Sequence, residues 1–370
     1  MAVKQYPFFV KSTVVLFGLT LLAYALLNLK DIFSPLAFAL IIAILLNPLV
    51  NKLKKNRLPT VVSIILSMLL GVLVLGGILY FLSSQIANFS ETYPVLKEKF
   101  HTLQGQLQHW VQQEFGIAIN KQLKMVNDGI DGSKALVGTA LGSAFGTLGL
   151  ILLVPVYIFL LLLYKPLMLN FLYDVFADEH SKKVQEVLNQ TKLAIQSYMV
   201  GLLLEAACVA ILNSTALLIL DVKYAILLGV LGALLNMLPY IGGIIAIALP
   251  VLMATVTKDG FSTQLGIIAA YAVIQFIDNN ILVPRIVSSK VQINALFSII
   301  VVLLGGALWG VAGMFLSIPF VAIIKIVFDR IDELKPWGKL LGDEIPTNVR
   351  RISFRRKKSS VSEKIVEDTN

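Results

Sequence analysis

The sequence predicts an all-α, polytopic integral membrane protein with about six full spans and two re-entrant helical hairpins arranged as an inverted repeat. Three observations carry this prediction. Hydrophobic residues make up 57% of the chain and charged residues only 14%, whereas a soluble domain carries about 25% charged residues. Apolar runs of spanning length recur from end to end. Two uncharged stretches, Tyr224–Thr257 and Val291–Ile324, are each 34 residues long and broken midway by glycine and proline. Either one as a single helix would measure roughly 51 Å, too long for one crossing of a ~30 Å core and short for two.

Taken in order, the full spans fall at Thr13–Leu29, Ile32–Val50, Thr60–Leu82, Phe145–Tyr164, Tyr198–Leu220 and Phe261–Val283. Ala23-Tyr24-Ala25 has the form of a signal-peptidase tripeptide, but the apolar run continues past it, so the first segment reads as an uncleaved span. The strongest cytoplasmic markers are Lys52, Lys54, Lys55 and Arg57, and the tail cluster Arg350, Arg351, Arg355, Arg356, Lys357 and Lys358. Both termini are then cytoplasmic, as expected for an inner (plasma) membrane protein. The net charge of +9 is explained by juxtamembrane loops and tail meeting anionic lipid, with no need for nucleic acid.

Counting crossings places Ser83–Ser143 outside, with an amphipathic helical pattern at Leu96, Phe100, Leu103, Leu107, Trp110 and Phe115. Lys165–Ser197 falls inside as a connector of short amphipathic helices. If each 34-residue stretch dips and returns, every basic cluster obeys the positive-inside rule; a single crossing for either would invert one. The organisation expected is a transmembrane scaffold over 1–90, an external helical segment over 91–143, a span with its connector over 144–197, a core with two hairpins over 198–330 and a basic cytoplasmic tail over 331–370. Gly242-Gly243 followed by Pro250 in one hairpin parallels Ala312-Gly313 followed by Pro319 in the other. Interrupted apolar segments in corresponding positions of two halves are a pointer to a transport site.

Ionisable groups inside a membrane are expensive and are functional candidates by default. Asp278 shares a helix face with Gln275 and Asn279, at i, i+3 and i+4. A carboxylate flanked by amides suits a sodium ion or a proton, since hard cations want several oxygen ligands. The alternative is that Asp278 reaches the inner interface or pairs with Arg285. Glu205 sits at a matching depth on the preceding span and either completes the same site or serves a helix–helix hydrogen bond. Asn236, Pro239, Gly242 and Gly243 interrupt the first hairpin. Unwound backbone at membrane depth requires protein or a water-filled cavity beside it, so these residues line a solute path or mark a proline kink with close helix contact. Gly305, Gly306, Gly310 and Gly313 stand in the same position in the second hairpin, with Trp309 as a plug or interfacial anchor.

Other chemistry is largely excluded. Cys208 is the single cysteine, so no intramolecular disulfide forms. His101, His109 and His180 are separated by topology and give no metal site. No phosphate-binding G-x-x-x-x-G-K-[ST], G-x-S-x-G or H-E-x-x-H pattern is present, so neither an ATP-driven pump of that kind nor a hydrolase is expected, and no cofactor.

Three motifs carry a family resemblance: Leu234-Leu235-Asn236-Met237-Leu238-Pro239-Tyr240-Ile241-Gly242-Gly243, then Ile277-Asp278-Asn279-Asn280-Ile281-Leu282-Val283-Pro284-Arg285-Ile286, then Gly305-Gly306-Ala307-Leu308-Trp309-Gly310-Val311-Ala312-Gly313-Met314 running into Ser317-Ile318-Pro319. The region 197–325 resembles the autoinducer-2 exporter (AI-2E) family, while Asn294-Ala295 departs from the Leu/His-Pro pair that many members carry. The resemblance implies secondary export of a small polar signalling solute, or sodium(lithium)/proton antiport as in some members. A passive channel and a membrane scaffold are the remaining readings. The lipid bilayer is the expected partner, and the apolar face of the external helix leads to the expectation of a homo-oligomer.

Overall fold

A computed structural model describes residues 7–116, 118–120, 123, 144–176, 181–237, 242–287 and 293–343. Among them every regular element is helical: α1 (Phe8–Asn28), α2 (Lys30–Lys55), α3 (Thr60–Phe115), α4 (Ala144–Leu163), α5 (Lys165–Val175), α6 (Ser181–Ile219), α7 (Ala225–Asn236), α8 (Gly242–Thr257), α9 (Ser262–Ile277), a π-helical segment (Asp278–Val287), α10 (Ala295–Arg330) and α11 (Lys335–Leu341). Five helices are long and apolar enough to cross a membrane, in α2, the first half of α3, α6, α9 with the π-helical segment, and α10. α4 with α5, bent by 61°, makes a sixth if counted as one span. The set differs from the six expected spans, because α1 falls among the shorter apolar helices and α10 stands in for it. The chain is thus a multi-pass membrane protein.

α2 holds the scaffold together because it is buried on opposite sides. Ala37 and Ile41 pack with Ile195, Met199 and Leu316, while Ala39 and Ala43 pack with Ile64, Ile158 and Leu162. Residues two apart on a helix point about 200° away from each other, and alanine lets neighbours on both sides approach closely. Pro48 removes the N–H that would bond Ile44 C=O, and Gln196 Nε2 of α6 donates to that oxygen at 2.7 Å. A defect in one helix thereby becomes a joint with another. By contrast, α1 and the first half of α3 turn apolar side chains such as Leu16, Phe17, Leu73 and Leu75 outward, as contact with lipid requires.

α3 differs from the expected division into a span and a separate external helix. It continues unbroken for 56 residues to Phe115 and stops at Gly116, whose φ of 66° is the left-handed cap that glycine adopts freely. Trp110 and Phe115 meet edge to face near its end, with centroids 5.7 Å apart. Most of 117–143 and all of the basic cluster at 350–358 lie outside the described residues.

Both broken stretches double back. A Cβ added to Gly232 of α7 would touch Ala246 Cβ of α8 at 3.4 Å, and one on Gly242 would lie 2.9 Å from Asn236 Cα, so the two helices run antiparallel from closely apposed ends. With 12 and 16 residues, neither is long enough to cross a bilayer alone. α10 turns at Trp309 (φ −133°, ψ 18°) and Gly310 (φ 62°, ψ −141°). A Cβ on Gly305 would fall 2.8 Å from Gly313 C, and one on Gly306 would fall 2.7 Å from Met314 Cε. In a straight helix residues 305 and 313 would stand about 12 Å apart.

Each hairpin is tied at its base. Asp221, before α7, pairs with Lys258, after α8, and that ammonium holds the Asp221 carboxyl below its ordinary range. Asn294 caps α10 by accepting from Phe297 N at 3.0 Å, while its Nδ2 donates to Leu340 O and Gly342 O of the α11 turn at 2.8 and 3.0 Å. Asn294 therefore has a structural task. Asn294→Ala is expected to cost about 2 kcal/mol, the upper range for a cap, because two further carbonyls lose a donor. A thermal melt of the purified protein in detergent checks it.

Candidate functional site

α6 carries one buried stripe, and α9 with the first residue of the π-helical segment carries another. On α6 it runs Leu202, Glu205, Val209, Asn213, Leu217; on α9 it runs Gln264, Ile267, Tyr271, Ile274, Asp278, all at helical spacing. Each stripe is apolar with polar interruptions. Glu205 is only 6% exposed and Asp278 only 2%, a burial that a carboxyl group tolerates only with partners.

Asp278 begins the π-helical segment, which ends the regular α9 ladder and re-aims the side chains that follow. Asn236 Nδ2, at the end of α7, donates to Asp278 Oδ2 at 2.9 Å. Gln275 Nε2 lies 3.5 Å from the same oxygen and donates to Asn279 Oδ1 at 3.3 Å. Asp278 Oδ1 is buried without a protein partner. No ion pair joins Asp278 to Arg285 among the described residues, and Arg285 is exposed. Asp278 is thus packed within the protein instead of paired with Arg285.

Gly243 leaves an open point at this cluster. A Cβ there would lie 3.4 Å from Gln275 Oε1 and 3.6 Å from Asn236 Oδ1, so two amide oxygens face the space that a side chain would fill. Glu205 lies within electrostatic reach of Asp278, and α6 packs directly on the π-helical segment. Hence Asn236, Gly243, Gln275 and Asp278 are brought together with Glu205 nearby. Asn279 is exposed and joins through Gln275 alone. Gly242 packs against the Leu235–Asn236 backbone. Pro239 lies outside the described residues, as do 238–241 as a whole.

The glycines of the second hairpin are not part of this cluster. Gly305, Gly306 and Gly313 close its two arms together, and Gly310 makes its turn. Trp309 is the turn residue before it, and its Nε1 donates to Leu26 O of α1 at 2.9 Å. Both hairpins lean on α6, but from opposite ends. The first has its base beside the end of α6 and its Gly229 and Gly232 against Ser214 and Asn213. The second has its base where Arg330 pairs with Glu186 at 2.6 Å, and Leu316 packs with Ile195 and Met199. Continuing both registers along α6 brings Asn236 of the first hairpin and the Trp309–Gly310 turn of the second toward the level of Glu205.

Sequence reasoning missed a second buried polar level. Asn213 Nδ2 and Tyr271 Oη stand 3.4 and 3.6 Å from the point where a Gly232 Cβ would lie. Asn213 Oδ1, Tyr271 Oη and, farther along α9, Gln264 Oε1 are buried without a partner. Buried groups of this kind call for water or a ligand. The signal was available: Asn213 lies eight residues after Glu205 and Tyr271 seven before Asp278, so each shares its helix face with a carboxylate. No cluster of three His, Cys, Asp or Glu side chains that could hold a metal ion occurs among the described residues.

Known proteins match the chain over most of its length. The sequence profile of the AI-2E family transporters matches residues 13–333. The chain is 28% identical to the AI-2 transport protein TqsA of Escherichia coli, over 85% of this chain and 90% of that protein. It is 26% identical to a putative transport protein of Haemophilus influenzae, over 85% and 90%, and 23% identical to the putative transport protein YueF of Bacillus subtilis, over 83% and 86%. With a match spanning the scaffold and both hairpins, the chain belongs to the AI-2E family of membrane transporters.

Proposed function

We propose that the protein is a secondary transporter that exports a small polar solute of the autoinducer-2 type by alternating access. The observation that carries this reading is the pair of buried carboxyl groups, Glu205 and Asp278, at the level of α6 toward which both hairpins point. Burying an acid at that depth is costly unless it exchanges a proton or cation. Asp278 Oδ1, Asn236 Oδ1 and Gln275 Oε1 supply oxygen ligands that suit either a proton-bound water or a sodium ion. The glycines at the hairpin contacts allow backbone to move against backbone without side-chain obstruction. Rocking of the hairpin core against α1–α4 would open the site to each side in turn, in the manner of transporters built from oppositely inserted repeats.

The hairpins on this account are re-entrant, the first from outside and the second from the cytoplasm, in an inner membrane with both termini inside. The apolar outer faces of α1 and α3 would meet lipid and further copies of the chain. Purified protein in proteoliposomes tests the function. An imposed proton or sodium gradient is expected to drive accumulation of autoinducer-2-type solutes well above protein-free vesicles. Gradient-driven sodium movement without any solute would make the ion the cargo, and flux indifferent to both gradients would refute coupled transport.

A further inference from the structure

A second polar cavity lies away from the hairpin core, among α2, α3, α4 and α5. It encloses about 320 Å³ and is lined by Asn47, Asn51, Lys54, Thr60, Lys165 and Tyr173, over an apolar floor that includes Val50 and Leu162. Its charged lining is cationic only. Lys165 Nζ donates to the buried Asn47 Oδ1 at 3.0 Å, and its ammonium is repelled by both Lys192 and Lys54. Among the described residues no carboxylate pairs with any of these three lysines. Like charges gathered around a cavity cost energy unless an anion joins them.

Helix ends of both signs border the cavity: α3 starts at Thr60 with its positive dipole end, while α2 and α4 end there. Lys54 also belongs to the last turn of α2, where a cation complements the dipole. That role is shared by Lys52 and Lys55, which do not line the cavity, whereas Lys165 is held at the cavity by Asn47. The basic loop Lys52–Arg57 places this end of α2 on the cytoplasmic side by the positive-inside rule.

We propose that this cavity binds a phosphate group, carried either by an anionic phospholipid of the inner leaflet or by a small phosphorylated solute. Basic pockets between spans at the cytoplasmic surface take lipid headgroups by this chemistry, and the apolar floor suits the carbons next to a headgroup. The site is independent of Glu205 and Asp278.

The test is native mass spectrometry of the full chain in detergent, titrated with dioleoylphosphatidylglycerol, with dioleoylphosphatidylcholine, or with glycerol phosphate. Phosphatidylglycerol is expected to bind in preference to phosphatidylcholine. Its affinity should fall about fivefold for each lysine removed, in Lys54→Gln and further in Lys54→Gln/Lys165→Gln. Lys52→Gln/Lys55→Gln, with the same charge loss outside the cavity, should leave it unchanged, and Lys54→Arg should restore it. If glycerol phosphate displaces the lipid and binds alone with the same lysine dependence, the phosphate comes from a soluble ligand. If the double variant does not fold, Lys54→Gln alone, at an exposed side chain, carries the comparison. Equal loss in the cavity and control variants, or no loss in either, would overturn the proposal.

Discussion

Gly305→Ala is expected to unfold the second hairpin or to lower stability by about 3 kcal/mol or more, the upper range for overpacking. The added Cβ would fall on Ser317 Oγ and 2.8 Å from Gly313 C. Neither the backbone nor Ser317, whose Oγ donates to Gly313 O at 2.5 Å, can give way without separating the arms. Gly313→Ala meets Gly305 C at 2.6 Å and should behave alike. Gly76→Ala, at a position with no neighbour within 4 Å, is the control. Glycine there only weakens a helix, so alanine should be neutral or slightly stabilising. Thermal melts of the three variants in one detergent decide the matter. Similar melting temperatures for all three would mean that the close contact between the arms does not hold the hairpin.

Asp278→Asn is expected to have the opposite profile: fold kept, transport lost. Asparagine has nearly the same shape, and its side-chain oxygen can still accept from Asn236 Nδ2. The neutral amide spares the cost of desolvating a buried carboxylate, so the melting temperature should hold or rise. Gradient-driven flux should drop at least about a hundredfold, because the amide neither carries a proton nor balances a cation. Glu205→Gln should lose coupling in the same direction. Asn213→Leu, one polar level away, should slow flux without abolishing its dependence on the gradient. Full activity of Asp278→Asn would show that the carboxyl group is structural.

Much of this was legible in the chain, for identifiable reasons. Apolar run length reports directly on bilayer thickness, so most of the long apolar helices and the two anomalous stretches stood out. The shared face of Gln275 and Asp278 followed from helical spacing alone. That Asn236 would reach Asp278 did not, because it depends on how the α7–α8 hairpin docks on α9. The long α3 was misjudged as two pieces. Loss of apolarity after Leu82 marks the edge of the membrane, but a helix does not end where lipid ends; it ends where a residue such as Gly116 turns the backbone. Asn213 and Tyr271 were passed over because single polar residues in apolar spans are common, and only their register with Glu205 and Asp278 marks them.

The transport mechanism depends on the two stretches returning to the side they came from. In a Cys208→Ser background, single cysteines at exposed loop positions report this with a membrane-impermeant maleimide applied from either face. Lys223→Cys and Asp259→Cys flank the first hairpin, and Glu333→Cys follows the second. The expected result is labelling of positions 223 and 259 from outside only and of position 333 from the cytoplasmic side only. Positions 223 and 259 on opposite faces would make the first stretch a crossing, and 333 on the same face as 259 would make the second one. Either outcome would contradict the oppositely inserted hairpins on which the transport mechanism rests.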